Sequence, residues 1–247
     1  MKRSIIQNKY IFSLTTIILL LFGWILLSSL SKNSYAFPSL SLIAKSFIRL
    51  LNEYGIIVIR TIGKIIISVG IAVLISILIF ALYVYKKDLL GFLTPILNFL
   101  HVVPIIGISL YLFLIFDDLR IPPYVVTISV IVPLIVEALI TAYDNIDKAI
   151  EDALKLEQVS FIIKFFKVYL PMILPYFLMA LIQSFSLGIK AMIMGEYLCY
   201  TNNSLGALLY NSKLEDNGLL IAILILLFLL SVLCEVIIRI FQKKISK

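Results

Sequence analysis

The sequence predicts an all-α, polytopic membrane protein with six transmembrane helices and one long polar interruption on the cytoplasmic side. Three observations predict it. Of 247 residues, 62% are hydrophobic and only 14% charged, with a mean hydropathy of +1.11, whereas soluble domains run at about 45–50% apolar and about 25% charged. Apolar runs near the ~20 residues that cross ~30 Å of hydrocarbon recur six times. Between the fourth and fifth runs lies Asp147 to Pro175, the longest stretch that is neither a span nor a short loop.

Taken in order, residues 1–10 form a polar stub with Lys2, Arg3 and Lys9, and the first span covers about 10–31. Its apolar core is longer than the ~7–15 residues of a signal-peptide core, so Ser34-Tyr35-Ala36 is not read as a cleavage site. Phe37-Pro38-Ser39 makes a turn, and an amphipathic helix bearing Lys45 and Arg49 comes next, before Gly55. The second span is expected at 62–85, ending at Lys86-Lys87-Asp88, and the third at 89–115, broken by Pro95 and Pro104. The tight turn Asp117 to Pro123 places prolines where a helix can begin, and the fourth span runs over 122–142. The fifth and sixth cover about 172–195 and 218–240, separated by a polar loop from Glu196 to Asn217. The whole chain, 1–247, is read as a single transmembrane domain.

Basic residues in short loops set the orientation. With the N-terminus cytoplasmic, the inner side holds Lys2, Arg3, Lys9, Lys86, Lys87, Lys148, Lys155, Lys164, Lys167, Arg239, Lys243, Lys244 and Lys247, thirteen in all. The outer side holds six: Lys32, Lys45, Arg49, Arg60, Arg120 and Lys213. Both termini and the long interruption, residues 144–171, are therefore expected in the cytoplasm. The net charge of +7 is spread over loops rather than gathered on one face, which argues against a nucleic-acid partner. Cys199 and Cys234 lie near opposite ends of neighbouring spans, too far apart for a disulfide. The single histidine and the scattered acids form no metal cluster, and no nucleophile and base stand at catalytic spacing. No metal, cofactor or catalytic residue is expected.

In the long interruption, Asp147 is placed to cap a helix. Lys148/Asp152 and Glu151/Lys155 pair at i,i+4 on an exposed surface, while Ile150, Ala153 and Leu154 make an apolar stripe. Near Gln158 the pattern changes. Ser160 can cap a second helix whose polar face is Ser160, Lys164 and Lys167, and whose remainder (Phe161, Ile162, Ile163, Phe165, Phe166, Val168) is apolar enough for a lipid interface. Leu170-Pro171 is read as ending the segment, with Pro175 opening the next apolar run. A charged helix, a bend and an interfacial helix form a docking surface for a soluble partner, because an exposed apolar stripe needs cover. A merely solvated loop is the plainer alternative.

This segment resembles the EAA loop of permease subunits of bacterial ABC importers, a pattern of E-A-A, then Gly four residues on, then a hydrophobic-Pro pair. Anchored on Leu170-Pro171, the acid falls on Asp152, the two alanines on Ala153 and Leu154, and the glycine on Gln158. Without a glycine free to take positive φ, the bend is expected to use ordinary backbone angles, with Ser160 capping the second helix. Trp24, Phe37-Pro38-Ser39, Thr61-Ile62-Gly63-Lys64, Gly70, Pro95, His101-Val102-Val103-Pro104, Pro133, Gly195-Glu196 and Ser204-Leu205-Gly206 are, as an ordered set, similar to the nitrate/taurine/sulfonate type of ABC permease. The resemblance implies a permease subunit that pairs with a second permease. It further implies an ATP-binding subunit dimer and an extracytoplasmic solute-binding protein, and coupling through Asp152, Ala153, Leu154, Gln158, Ser160, Leu170 and Pro171. The chain has no G-x-x-x-x-G-K-[ST] phosphate loop, so ATP hydrolysis would belong to another chain and this one is not expected to be an enzyme.

Several polar residues fall in or beside apolar runs. Glu137 must be paired, protonated or facing a cavity, and a structural pairing and a pathway role are equally open to it. His101 is either hydrogen-bonded structure or, beside the kink expected at Pro104, part of a path. Lys64 can snorkel outward, Glu235 and Arg239 are a structural i,i+4 pair, and Lys190 and Glu196 flank the outer end of the fifth span. His101, Pro104, Glu137 and Glu196 are the pathway candidates. The competing function is a secondary transporter or channel working without an ATPase, which calls for inverted repeats and matching broken helices; the sequence shows no such symmetry. A membrane scaffold is the third reading, and it leaves Glu137 unexplained.

Overall fold

The structure, a computed structural model, describes residues 15–16, 18–19, 21–31, 36–158 and 160–245. No strand occurs among them. In chain order the helices are α1 (Leu21–Leu30), α2 (Leu40–Tyr85), α3 (Lys87–Val102), α4 (Ile105–Ile115), α5 (Pro122–Asp144), α6 (Lys148–Leu156), α7 (Phe161–Lys164), α8 (Leu170–Leu198), α9 (Leu205–Glu215) and α10 (Asn217–Ile245). Four stretches are long and apolar enough to cross a membrane: α2, α5, Phe165–Leu198 and Asn217–Gln242. The α3–α4 pair makes a fifth if counted as one broken span. The first expected span, 10–31, lies partly outside the described residues, which show the short apolar helix α1 within it.

Two elements differ from the sequence reading. The amphipathic helix expected before Gly55 and the span expected at 62–85 are one continuous helix, α2, of 46 residues. At 1.5 Å per residue such a helix is about 69 Å long, so a bilayer can hold only part of it. The stretch 89–115 is two helices meeting at 103°. Pro95 lies inside α3 without ending it, and the break falls at Val103 (φ −65°, ψ 130°) and Pro104 (φ −59°, ψ 133°). A residue before proline is driven out of the helical region, and Pro104 then starts α4, its carbonyl accepting from Ile108 N–H at 3.2 Å.

The chain forms two compact units. The smaller comprises residues 1–55 and 211–225. In it Trp24 Nε1 donates to the Pro38 carbonyl at 3.1 Å and the indole meets Phe37 edge-on. Ser39 Oγ accepts from Leu42 N–H to cap α2. Asp216 caps α10 through Leu219 N–H at 2.9 Å and is ion-paired with Arg49. A Cβ at Gly218 would stand 2.7 Å from Ser46 Oγ and 3.1 Å from Leu42 Cγ, so any larger residue there would make these α2 side chains shift.

The larger unit comprises residues 56–210 and 226–247. Its core is built by α2 (Ile65, Val69, Ala72), α5 (Ile131, Ile135, Val136, Leu139) and α8 (Ile173, Ala180, Ile189, Met192). Small residues on α8 let the helices close up, as they do between membrane helices generally. A Cβ on Gly188 would meet Ile131 at 3.0 Å, and one on Gly195 the Pro123 backbone at 2.8 Å. Buried hydroxyls of Thr127, Ser184 and Ser76 bond back to the carbonyl four residues earlier, which satisfies them without a partner helix. Ser76 adds a longer bond to the Val132 carbonyl of α5.

Candidate functional site

Three polar constellations of the larger unit matter. The first is the segment between α5 and α8. Asp147 accepts from Ala149 N–H at 2.9 Å and starts α6. Asp152 and Ala153 are exposed, while Leu154 is half-buried and packs against the protein's own core. The apolar stripe is thus partly consumed inside the molecule, and the large apolar side chain α6 presents outward is Leu156, 84% exposed. Glu157 N–H still closes onto Ala153 O, and then Gln158 takes φ +51°. This overturns the expectation of ordinary backbone angles: Gln158 adopts the left-handed conformation that glycine takes without cost and L-residues adopt at ~1–2 kcal/mol. Beyond it, the Ser160 carbonyl accepts from Lys164 N–H, opening α7.

Leu170-Pro171 does not end the segment either. Phe165–Tyr169 is π-helical and runs directly into α8, with Leu170 N–H bonded to Phe165 O, five residues back. Pro171 has no N–H for a carbonyl four residues earlier, and the wider turn accommodates it, as single-turn π stretches do inside α-helices. Helix therefore continues from α7 to Leu198. Where this segment joins the bundle, the Tyr143 ring meets Phe80, Tyr83 and Tyr169 edge-to-face at centroid distances of 5.9, 6.2 and 5.6 Å. Its neighbour Asp144 accepts from Tyr83 Oη at 2.5 Å and Lys87 Nζ at 2.7 Å. The bond to Asp144, with a second from Tyr83, raises the Lys87 ammonium above its ordinary value against a smaller opposing effect of burial. Sequence reasoning missed this cluster, although Phe80 and Tyr83 stand at i,i+3 and share a face of α2.

The second constellation sits beside the α3–α4 break. His101 Nδ1 lies 3.4 Å from Glu137 Oε2, with the two side chains 56% and 67% exposed. They border a cavity of about 150 Å³ whose other polar lining is Thr94, Asn98 and Thr141. Pro104 is exposed at the bend itself. The structure thus brings His101 and Glu137 together on an open face.

Glu196 belongs to a third place. It is wholly buried, and its carboxylate receives Lys64 Nζ at 2.8 Å, Thr61 Oγ1 at 3.2 Å and Gly206 N–H at 3.2 Å. Leu205 N–H donates to Thr61 Oγ1, and Ser204 Oγ caps Ala207 N–H. A Cβ on Gly206 would come within 2.4 Å of Glu196 Cβ and of Tyr197 N. Glu196 therefore borders no open path here; it fastens the start of α9 to α8 and α2. Lys64, expected to snorkel outward, instead turns in to neutralise it.

Against known proteins, a sequence model of the family described as binding-protein-dependent transport system inner membrane component matches residues 73–247. No curated protein sequence matches significantly. Among solved structures, a chain of the MetNI methionine ABC transporter in inward-facing conformations superposes with a TM-score of 0.69 at 16% identity, covering 78% of this chain and 96% of that one. At that identity the likeness is one of fold.

Proposed function

We infer the function from one premise: the chain belongs to the family of binding-protein-dependent transport system inner membrane components and is an ABC importer permease. Beyond that premise, it forms half of a translocation path with a second permease, same or different. A dimer of ATP-binding subunits engages residues 144–171, and a solute-binding protein delivers a small solute, of the nitrate/taurine/sulfonate type of system, at the outer face. The chain acts as one domain of six spans, the first over 10–31, with lipid around it and both termini in the cytoplasm of the bacterial cell. His101, Pro104 and Glu137 line the path. Glu196 latches the bundle.

One observation supports this most. A capped helix, α6, and a left-handed turn at Gln158 stand between two membrane-length helices, and Gln158 occupies the glycine position of the EAA pattern. Retention of the glycine-like angle by a residue that is strained there argues that the turn's shape is needed by something it meets. The test is twofold. Reporters after Lys247 and within 148–155 should read cytoplasm and one near Asn202 the outside. Purified alone, the chain should hydrolyse no ATP, and co-expressed with its ATP-binding subunit it should retain that subunit in detergent. ATP hydrolysis by the isolated chain, or a reversed reporter pattern, sinks the reading.

A further inference from the structure

The cavity at the α3–α4 break has a chemistry that narrows the solute. At about 150 Å³ it is well below the ~300–1,000 Å³ that encloses a drug-sized ligand, so it suits a small solute or a head group. Its polar lining is one carboxylate (Glu137), one imidazole (His101), one amide (Asn98) and two hydroxyls (Thr94, Thr141), with no Lys or Arg. Sites that read anions supply a guanidinium, an ammonium or the N–H groups of a helix N-terminus. Among the described residues no Lys, Arg or helix N-terminus lines this cavity: α3 contributes Thr94, Leu97, Asn98 and His101, and α5 the residues from Pro133 on. Three cations of the larger unit are already committed elsewhere: Lys64 to Glu196, Lys87 to Asp144 and Arg239 to Glu235. Among the described residues Glu137 has no tight partner, because 3.4 Å to His101 exceeds the ~2.7–3.2 Å of a good N–H···O bond. A carboxylate held on an open intramembrane face with acceptor capacity to spare is suited to receive N–H donors.

We propose that this cavity is a transient recognition site for an ammonium or protonated amine carried by the transported solute, with Glu137 as the ion-pairing group and Asn98, Thr141 and His101 as hydrogen-bonding neighbours. This rests on the reading that His101 and Glu137 line the path. On that reading the cargo carries an amine, and a bare anion is a poor cargo for this cavity.

The test uses the complete complex of permeases and ATP-binding subunits in lipid nanodiscs, with Cys199 and Cys234 replaced by alanine and a single cysteine introduced as Thr141→Cys. A second variant, Asn98→Cys, gives an independent position should the first disturb assembly. The probes are two methanethiosulfonates of similar size, one carrying a trimethylammonium and one a sulfonate, with rates normalised to a free thiol in solution. The cationic reagent should react about tenfold faster than the anionic one, the scale expected of one charge at close range in a partly screened site. Adding Glu137→Gln should bring the two rates within about threefold of each other. Equal rates, or a cation preference that survives Glu137→Gln, overturn the amine assignment while leaving the path intact. If neither reagent reaches either cysteine, with or without ATP, the face is not on a water-filled path and both readings fall.

Discussion

At Glu196 a carboxylate is withdrawn wholly from solvent and receives donors from α2 and α9, with Lys64, only 17% exposed, as its counter-ion. At Asp144 a carboxylate stays 41% exposed and shares its two oxygens between Tyr83 and a Lys87 that is 64% exposed. The contrast is between a cluster that cannot be opened cheaply and one that can. A buried ion pair is weak evidence of net stability, but removing one partner strands the other charge and costs ~3–5 kcal/mol. An exposed pair contributes ~0–1 kcal/mol because water replaces it. The buried cluster fixes α9 on α8. The exposed one sits where the segment 144–171 leaves the bundle.

The largest expected effect tests the rigid side. Glu196→Ala leaves Lys64 and Gly206 N–H unpartnered in a buried site, and should lower the melting temperature of the purified protein by about 10 °C. Glu196→Gln combined with Lys64→Met removes both charges yet keeps an acceptor for Gly206 N–H and Thr61, so most of that loss should return. Melting of Glu196→Ala at the wild-type temperature would mean the cluster is not a latch at all.

Next in size is a change on the pliable side that should spare stability altogether. Ala153 is exposed on α6, so Ala153→Asp should leave melting and membrane insertion unchanged. In the assembled importer it would press an unpaired carboxylate into a docking groove, where burying a polar group without a partner costs ~2–7 kcal/mol. Coupled uptake should fall at least tenfold, and the ATP-binding subunit should be lost on purification. Intact uptake in this variant would remove residues 148–157 from the docking surface. Leu156→Ser sharpens the same point, since Leu156 rather than Leu154 is the apolar side chain turned outward.

How much of the fold and of the site is legible in the chain depends on whether the determining interaction is local. The apolar runs and the cap at Asp147 are local and can be read directly. The bend at Val103-Pro104 is half legible: Pro104 announces a break, but Pro95 announces one equally and α3 runs through it. Nothing in a single sequence separates two prolines when the surrounding packing decides which kink is used. Glu196 misleads because its partners, Thr61 and Lys64, lie more than 130 positions earlier, and a charge at a span's end looks the same whether it faces headgroups or a buried lysine. Gln158 misleads for another reason. Loss of the glycine suggests loss of its backbone angle, whereas a turn demanded by the flanking helices keeps φ at +51° and leaves the residue to bear the strain.

That strain gives the third prediction, of moderate size. Gln158→Gly should raise stability, by about 1 kcal/mol at most, because glycine's left-handed conformation is free of Cβ conflict while its unfolded chain loses more entropy. Gln158→Val should instead lose ~1–2 kcal/mol, a β-branched residue being the poorest occupant of positive φ. Both are read by thermal melting, with uptake as a second readout. Equal melting of the glycine and valine variants would show that the turn relaxes to ordinary angles in solution.

The smallest effect expected is at Lys87, and its smallness is the point. Lys87→Met removes an ion pair with Asp144 and a cation lying 5.2 Å over the Tyr83 ring. With both ends of the pair exposed, the change in stability should stay below about 1 kcal/mol, against several for Glu196→Ala. Its pH dependence has a definite sign. The bonds to Asp144 and Tyr83 raise the Lys87 value in the folded state. The contribution is therefore fully present below the ordinary lysine value of about 10.4 and fades only as pH rises through the higher folded value. Between about pH 6 and 9 the wild-type and Lys87→Met melting curves should run parallel, roughly a degree or two apart, and converge only in strong alkali. A gap that widened near neutral pH, or a loss as large as that of Glu196→Ala, would mean the Asp144 cluster is as dry as the Glu196 one, and the contrast between a fixed end and a yielding end would be gone.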